Sequence, residues 1–172
     1  MIKAVSNKSN RQDKYPVSEY GVAKAKEVCA YHQSYPEYTM TPLVKLDALA
    51  NALGVNKIMV KDESKRFGLN AFKVLGGSYC IGKYIAERLQ LPEEKFNFAT
   101  LVSDEVKAEL GELTFVTATD GNHGRGVAWT ANRLGHKSVV FMPEGTVPER
   151  LENIRKLSSD ASIQPMNYDD CV

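Results

Sequence analysis

The sequence predicts an α/β fold built from open parallel sheet layers with flanking helices. Between residues 113 and 166, short apolar runs alternate with segments of helical periodicity. This alternation is typical of parallel strands joined by helical crossovers. Apolar residues make up 43% of the 172 residues, which is enough to bury a core. No internal repeat or low-complexity segment interrupts the pattern.

Local stop and start signals set the elements expected in the first half of the chain. Ser18 is a residue type that caps helices, Gly54 is a natural helix stop, and Pro92 ends a run of helical spacing. Asn70 is a candidate cap for the helix that opens at Lys73. The expected elements are a helix from Ser18 to about His32, a helix over residues 46–53, a strand over residues 57–61 and a helix from Lys73 to about Gln90. The expected inner face of the first helix consists of Val22, Ala25, Val28, Cys29 and His32.

In the second half, a more polar stretch precedes the regular pattern. Residues 91–112 are expected to form a surface insertion. Thr146 and Glu149 have the spacing of a capping box, and Pro148 suits a first helical turn. The expected elements are strands over residues 113–118, 138–142 and 161–166 and helices over residues 124–134 and 146–158.

The last six residues, 167–172, predict the start of another helix with acidic residues in its first turn. A chain that stops there leaves a three-stranded layer with an exposed edge. We therefore expect a truncated chain or a fragment, and the alternative is a frayed natural C-terminus.

Composition excludes several classes of function. A formal net charge of +1 provides no basic field for nucleic acid. No apolar run reaches the roughly 18 residues that a membrane span needs, and the N-terminus has no apolar signal segment. The three isolated cysteines Cys29, Cys80 and Cys171 indicate a reducing, cytoplasmic location. His32 has no second ligand at metal spacing, so it is expected to be a packed or surface histidine, and no metal is expected.

Lys73 is the first candidate for chemistry. It opens a predicted helix, after the turn of residues 61–72 and ahead of Gly76 and Gly77. Partial desolvation and a positive helix end both disfavour an ammonium ion, and a neutral amine is a nucleophile toward carbonyls. This is the chemistry of a Schiff-base lysine. The alternative is a solvated lysine that opens an ordinary helix.

Residues 117–126 form the second candidate. They follow a predicted strand and open a predicted helix, which is where α/β sheets bind ligands. Their glycines and the helix N-terminus favour a carboxylate or phosphate. Asp120 is unusual there, because a plain anion site gains nothing from a carboxylate, whereas a proton-transferring site does. The alternative is that Asp120 caps the helix.

Together, these two stretches resemble the fold-type II pyridoxal-phosphate enzymes, the superfamily of threonine dehydratase and tryptophan synthase β. Within it, the closest resemblance is to the diaminopropionate ammonia-lyases, and it extends over most of residues 38–172. Threonine and serine dehydratases usually carry Ser-Phe-Lys before Arg-Gly-Ala and lack an acid at the position of Asp120. The runs that carry the resemblance are KDESKRFGLNAFK at residues 61–73, TDGNHGRGVAW at residues 119–129 and MNYDD at residues 166–170.

The resemblance implies a role for each matching residue. Lys73 would form the Schiff base with pyridoxal 5′-phosphate, and Asn122 would lie against the ring hydroxyl of the cofactor. Lys73 and Asp120 would remove the α-proton from opposite faces, so both D- and L-2,3-diaminopropionate would yield pyruvate and ammonia. The substrate carboxylate would bind the loop formed by Thr119, Gly121, Asn122 and His123.

The resemblance also implies an organisation and a limit. Residues 1–95 would be the N-terminal portion of the large cofactor domain, including Lys73, and residues 96–172 a partial small α/β domain. The family's glycine-rich phosphate loop and its contact to the pyridine nitrogen would lie downstream. We therefore expect this polypeptide alone to bind the cofactor weakly or not at all and to have little lyase activity, and the full-length family member to be a homodimer. The alternatives are a serine or threonine dehydratase-like lyase and a non-catalytic α/β module.

Overall fold

The computed structural model describes residues 20–171, and its elements follow the predicted α/β class. Two short 3₁₀ segments, Glu63–Gly68 and Glu93–Lys95, accompany the helices and strands. The elements are α1 Val22–Gln33, β1 Leu43–Lys45, α2 Asp47–Leu53, β2 Met59–Lys61, α3 Lys73–Arg88, α4 Phe98–Leu101, α5 Asp104–Leu110, β3 Thr114–Ala118, α6 Asn122–Arg133, β4 Lys137–Met142, α7 Pro148–Arg155, β5 Asp160–Ile163 and α8 Tyr168–Cys171.

The parallel sheet predicted for the second half is confirmed. Its strand order is β3-β4-β5, and both pairs are parallel, with Thr114 opposite Lys137 and Val139 opposite Asp160. A second sheet pairs β1 with β2 in antiparallel register. Strand β1 is not predicted from the sequence, because three residues carry too few side chains to show a period.

Helix α6 joins two hydrophobic clusters. Val127 and Trp129 face a large cluster that also contains Tyr31 and Tyr35 of the N-terminal region, and the Tyr35 and Trp129 rings stack at 5.5 Å. On its other side, Ala128 packs beneath the parallel sheet. That second cluster consists of Ala128, Val140, Met142, Ile154 and Ala161. Burial on both sides fixes α6 and therefore the loop that precedes it.

Helix α1 buries a different surface from the predicted one. It begins at Val22 with Gly21 as its N-cap, and the predicted cap Ser18 lies outside the described residues. Tyr31 and His32 are buried, whereas Val22 is 75% exposed. The predicted face is wrong because only the C-terminal turn of α1 is buried. Of the two predicted settings for His32, packed or on the surface, the structure shows the packed one.

Residues 91–112 are not a surface insertion, and that prediction is wrong. Leu101 of α4 is fully buried and Val106 of α5 is 5% exposed, and both belong to the large cluster. Ser103 caps α5 by accepting a hydrogen bond from the Val106 amide. The stretch is polar on average, but two of its side chains anchor it to the core.

Two predicted helix caps are also wrong, although the helices exist. Asn70 adopts a positive φ of 55° in the turn before α3, and Phe72 is the N-cap. The Thr146 hydroxyl donates to the Pro143 carbonyl instead of capping α7, which begins directly at Pro148. In each case the residue takes part in a local turn instead of capping the helix.

Among residues 20–171, no helix combines the length and the apolar character that a membrane span requires.

Candidate active site

The carboxyl edge of the parallel sheet opens into a cleft of about 660 Å³. This cleft brings together all six residues predicted from the sequence as catalytic, cofactor-binding or substrate-binding. It therefore joins the two stretches that are separated by more than 40 positions in the chain. Its lining consists of Lys73, Thr119, Asp120, Gly121, Asn122, His123, Arg125, Arg150, Asn153 and Tyr168.

Gly126 brings Lys73 to this cleft. A Cβ atom at position 126 would lie 2.8 Å from the Val74 Cα atom, closer than real Cβ atoms approach, and 3.1 Å from the Val74 backbone nitrogen. The start of the second turn of α6 therefore packs directly on the first turn of α3, and only glycine permits that approach. As a result, Lys73, the first residue of α3, lies beside the loop that opens α6.

The prediction that Lys73 opens a helix is confirmed, but its expected partial desolvation is wrong for this structure. The Lys73 side chain is exposed, and its Nζ atom lies 5.5 Å from the centroid of the Phe72 ring. Phe72 is itself 57% exposed, and the space around Gly76 is open. The described residues leave Lys73 at an open side of the cleft, where nothing shields it from water.

Thr119 shapes the loop between β3 and α6. Its side chain is 1% exposed, and its Oγ1 atom accepts hydrogen bonds from the Gly121 and Gly124 amides at 3.0 and 3.1 Å. A Cβ atom at Gly124 would lie 2.3 Å from the Thr119 Cγ2 atom. The hydroxyl group is thus used within the loop, and Thr119 acts on the cleft through the shape of the backbone.

The next two residues of the loop provide backbone amides that an anion in the cleft could use. Asn122 and His123 are the first two residues of α6, so their amides have no acceptor within the helix. Both side chains are exposed and line the cleft. A carboxylate at this helix end would be stabilised by these donors and by the positive end of the helix dipole.

Asp120 does not cap α6, so that alternative is wrong. Gly121 occupies the N-cap position, and no side chain forms a capping hydrogen bond there. The Asp120 side chain is exposed and lines the same cleft as Lys73. Its carboxylate is therefore accessible to a ligand in the cleft, which a proton-transferring group requires.

Four cleft residues received no role from the sequence, although Arg125 lies in the candidate stretch 117–126 and Tyr168 in the run 166–170: Arg125, Arg150, Asn153 and Tyr168. Arg150 and Asn153 lie on α7, and Tyr168 begins α8. A signal for them exists in the topology, because α7 and α8 follow β4 and β5. Turns after neighbouring parallel strands meet at the same edge of a sheet.

Arg150 also contacts the loop directly. Its Nη1 atom donates to the Asp120 carbonyl at 2.9 Å. With Lys73 and Arg125, it gives the cleft three cationic side chains beside the one carboxylate of Asp120. This charge balance suits an anionic ligand.

Comparisons with known proteins agree with this geometry. A family described as pyridoxal-phosphate dependent enzyme matches residues 35–172. The diaminopropionate ammonia-lyase of Salmonella typhimurium is 53% identical over 146 residues, which are 85% of this chain and 36% of that protein.

Solved structures give the same result. The apo form of diaminopropionate ammonia-lyase from Escherichia coli is similar with a TM-score of 0.82 and 48% identity, over 89% of this chain and 41% of that one. The same enzyme in complex with D-serine has a TM-score of 0.80 and 48% identity, over 86% of this chain and 37% of that one. This chain therefore spans well under half the length of the relatives it matches.

Proposed function

The chain belongs to the family of pyridoxal-phosphate dependent enzymes, and from that premise we propose that it forms the lysine-bearing part of an ammonia-lyase. The proposed reaction eliminates ammonia from D- and L-2,3-diaminopropionate and gives pyruvate and ammonia. The observation that carries the proposal is the position of Lys73 and Asp120 on one cleft, next to an anion-binding helix end. The similarity to lyases named for this substrate supports the same reaction.

The groups in the cleft fit pyridoxal 5′-phosphate. Lys73 offers a primary amine for its aldehyde, and Asn122 offers an amide for its ring hydroxyl. The direct packing of α6 on α3 at Gly126 keeps these two groups on one cleft. When bound, the cofactor supplies an aldehyde carbon for attachment of an amine and a ring that accepts electron density from the substrate α-carbon.

The residues of the cleft have separate roles in the proposed reaction. The Asn122 and His123 amides hold the substrate carboxylate at the start of α6, and Thr119 and Gly121 keep the loop in the shape that exposes them. Lys73, once released from the cofactor, takes the α-proton from one face of the substrate. Its amine is accessible for this step because the side chain is exposed.

Asp120 serves the opposite face. A carboxylate gives an anion-binding loop no advantage in binding, but it can accept a proton from an enantiomer whose α-hydrogen points away from Lys73. We assign the D-isomer to Asp120 and the L-isomer to Lys73. The complex of the Escherichia coli relative with D-serine supports a site that admits D-amino acids.

The test uses a chimera that joins residues 1–172 to the part of the Salmonella typhimurium lyase that they do not cover. The chimera is expected to release a 2-oxo acid from diaminopropionate, as pyruvate, faster than from serine, which also gives pyruvate, or from threonine, which gives 2-oxobutanoate. Comparable or faster release from serine or threonine would favour a dehydratase-like lyase instead. No pyruvate from a folded, cofactor-loaded chimera would favour a non-catalytic module.

Asp120→Asn in the same chimera tests the assignment of faces. Turnover of the D-isomer should fall by about 10²-fold or more, because a general base is lost, while L-isomer turnover is largely kept. Asp169→Asn, a change at an exposed carboxylate on α8, is the matched control. If D-isomer turnover survives while L-isomer turnover falls, the faces are assigned wrongly.

The proposal extends to the setting of the enzyme. We place it in amino-acid catabolism in the cytoplasm, with a small amino acid as its substrate and neither nucleic acid nor a membrane as its partner. The full-length protein is proposed to be a homodimer, which sedimentation of the chimera would measure.

A further inference from the structure

The peptide group between Asp120 and Gly121 is held from two directions. Its carbonyl accepts a hydrogen bond from Arg150 Nη1 at 2.9 Å, and its amide donates to Thr119 Oγ1 at 3.0 Å. In a trans peptide these two groups point to opposite sides, and no described peptide bond is cis. The two bonds therefore prevent this peptide plane from turning.

The Arg150 side chain also lies along the loop. Its Cδ atom is 3.7 Å from the position that a Cβ atom would take at Gly121. Arg150 belongs to α7, which follows β4, whereas the loop follows β3. Within residues 20–171, no carboxylate forms an ion pair with it. The charged guanidinium is thus directed to a carbonyl, and such charge-assisted bonds are among the stronger hydrogen bonds.

We propose that Arg150 is a positioning residue for this site: it fixes the Asp120–Gly121 peptide plane and so sets the direction of the Asp120 carboxylate. The kinetic consequences rest on the proposed lyase function, whereas the structural consequence does not.

The first test measures the loop in the 172-residue chain itself. Arg150→Met removes the donors and keeps an apolar stem over Gly121, and Arg150→Lys restores a cationic donor. Amide hydrogen exchange at Gly121 is expected to be about tenfold faster in Arg150→Met and to return at least halfway in Arg150→Lys.

Arg155→Met is the matched control, because Arg155 lies on the same helix and also donates to a carbonyl, that of Ala161, outside the cleft lining. It should leave exchange at Gly121 unchanged. Unaltered exchange in Arg150→Met would overturn the proposal. So would acceleration spread evenly over the whole chain, since that indicates only a loss of global stability.

The second test is a double-mutant cycle in the chimera. Arg150→Met should lower kcat for the D-isomer by about tenfold, because a misplaced base costs rate, and should affect the L-isomer less. Adding Arg150→Met to Asp120→Asn should cost less than a further twofold for the D-isomer, because both changes act through one group. Fully additive losses, or a larger loss for the L-isomer, would overturn the proposal.

The two levels of inference fail separately. If the unaltered chimera does not turn over diaminopropionate, the proposed function fails, and the exchange measurement still decides whether Arg150 fixes the loop. If the chimera is active and amide exchange at Gly121 is unchanged in Arg150→Met, the proposed function stands and the positioning role fails.

Discussion

Gly126 shows how much of the site depends on the absence of one side chain. Its α-carbon lies where the second turn of α6 meets the first turn of α3, and any Cβ atom there would press on the Val74 backbone. Backbone atoms cannot rotate out of the way as a flexible side chain can. The relation between Lys73 and the loop before α6 is therefore set at this position.

Gly126→Ala should destabilise the chain by about 1–3 kcal/mol, because overpacking forces the two helices apart. Urea unfolding measures the change in the free energy of unfolding. Gly76→Ala is the control, since Gly76 lies in α3 with open space around it and alanine favours helices. A Gly126→Ala variant as stable as Gly76→Ala would contradict the proposed packing.

His32 gives the fold a dependence on pH. Burial lowers the pKa of its imidazole below the ordinary value, although the hydrogen bond from Nε2 to the Leu75 carbonyl acts in the opposite direction. Ser78 Oγ and the Arg66 charge are its other polar neighbours. The folded protein therefore holds a neutral His32 at a pH where the unfolded chain already binds a proton.

Since the pKa is lower in the folded state, stability from His32 is fully present above about pH 6.5 and is lost as the pH falls below it. The free energy of unfolding should decrease between pH 7 and pH 5. His32→Gln replaces the imidazole N–H with an amide N–H and does not titrate. The decrease in the free energy of unfolding should therefore be smaller in this variant. An identical decrease in both proteins would refute the assignment. His136, also buried with a lowered pKa, contributes equally to both.

At the scale of elements, the 3₁₀ segment Glu63–Gly68 links the antiparallel sheet to the start of α3. Arg66 is 6% exposed, and its guanidinium donates to both Glu63 carboxylate oxygens, at 2.8 and 2.9 Å. It also donates to the Thr41 hydroxyl and the Thr39 carbonyl. Hydrogen bonds from Arg66 hold the pKa of Glu63 below its usual range. This network fixes the segment that precedes α3 and thereby the position of Lys73 at the start of that helix.

Glu63→Ala should cost about 3–5 kcal/mol, because it leaves the buried Arg66 charge without its partner. Glu152→Ala is a close control: Glu152 and Arg155 form another Arg–Glu pair three residues apart, but their side chains are 55% and 48% exposed. Exposed pairs of this kind contribute about 0–1 kcal/mol. Equal losses in the two variants, measured by chemical unfolding, would show that burial of the Arg66 pair is unimportant.

At the scale of the whole molecule, the described residues assemble one side of the proposed cofactor site. The cleft contains an amine, an amide side chain and a helix end, but the glycines of its loop are already engaged in shaping the turn before α6. The boundary between residues 95 and 96 stays a prediction. The large cluster includes residues from both sides of that boundary, such as Ile85 and Leu101.

We expect the 172-residue polypeptide to bind pyridoxal 5′-phosphate weakly. Apart from the start of α6, its described residues provide no further anion-binding loop for the cofactor phosphate. Titration should show a Schiff-base absorption band only at high cofactor concentration, and Lys73→Ala should abolish it. The chimera should show the band at much lower concentration. Tight binding by the polypeptide alone would contradict this expectation.

The helices and strands whose determinants are local could be predicted from the sequence. Strands β3, β4 and β5 and helices α3 and α6 follow from apolar periodicity and from glycine and proline stops. Prediction from the sequence failed where a contact joins distant positions. The burial of Leu101 and the reach of Arg150 to the Asp120 carbonyl depend on neighbours that no local pattern reveals.

The candidate site divides in the same way. The positions of Lys73 and Asp120 on one cleft were predicted, because the family resemblance of their two stretches implies a shared site. The exposure of Lys73 was not, since it depends on what covers a side chain from elsewhere in the fold.

The close approach at Gly126 also has a consequence for motion. Where α3 and α6 touch backbone to backbone, no side-chain rotamers lie between them to absorb a relative displacement. The two helices should therefore move as one rigid body, with the backbone of Lys73 and the N-terminal amides of α6 keeping a constant separation. Any closure over a bound substrate then has to take place about a hinge outside this pair.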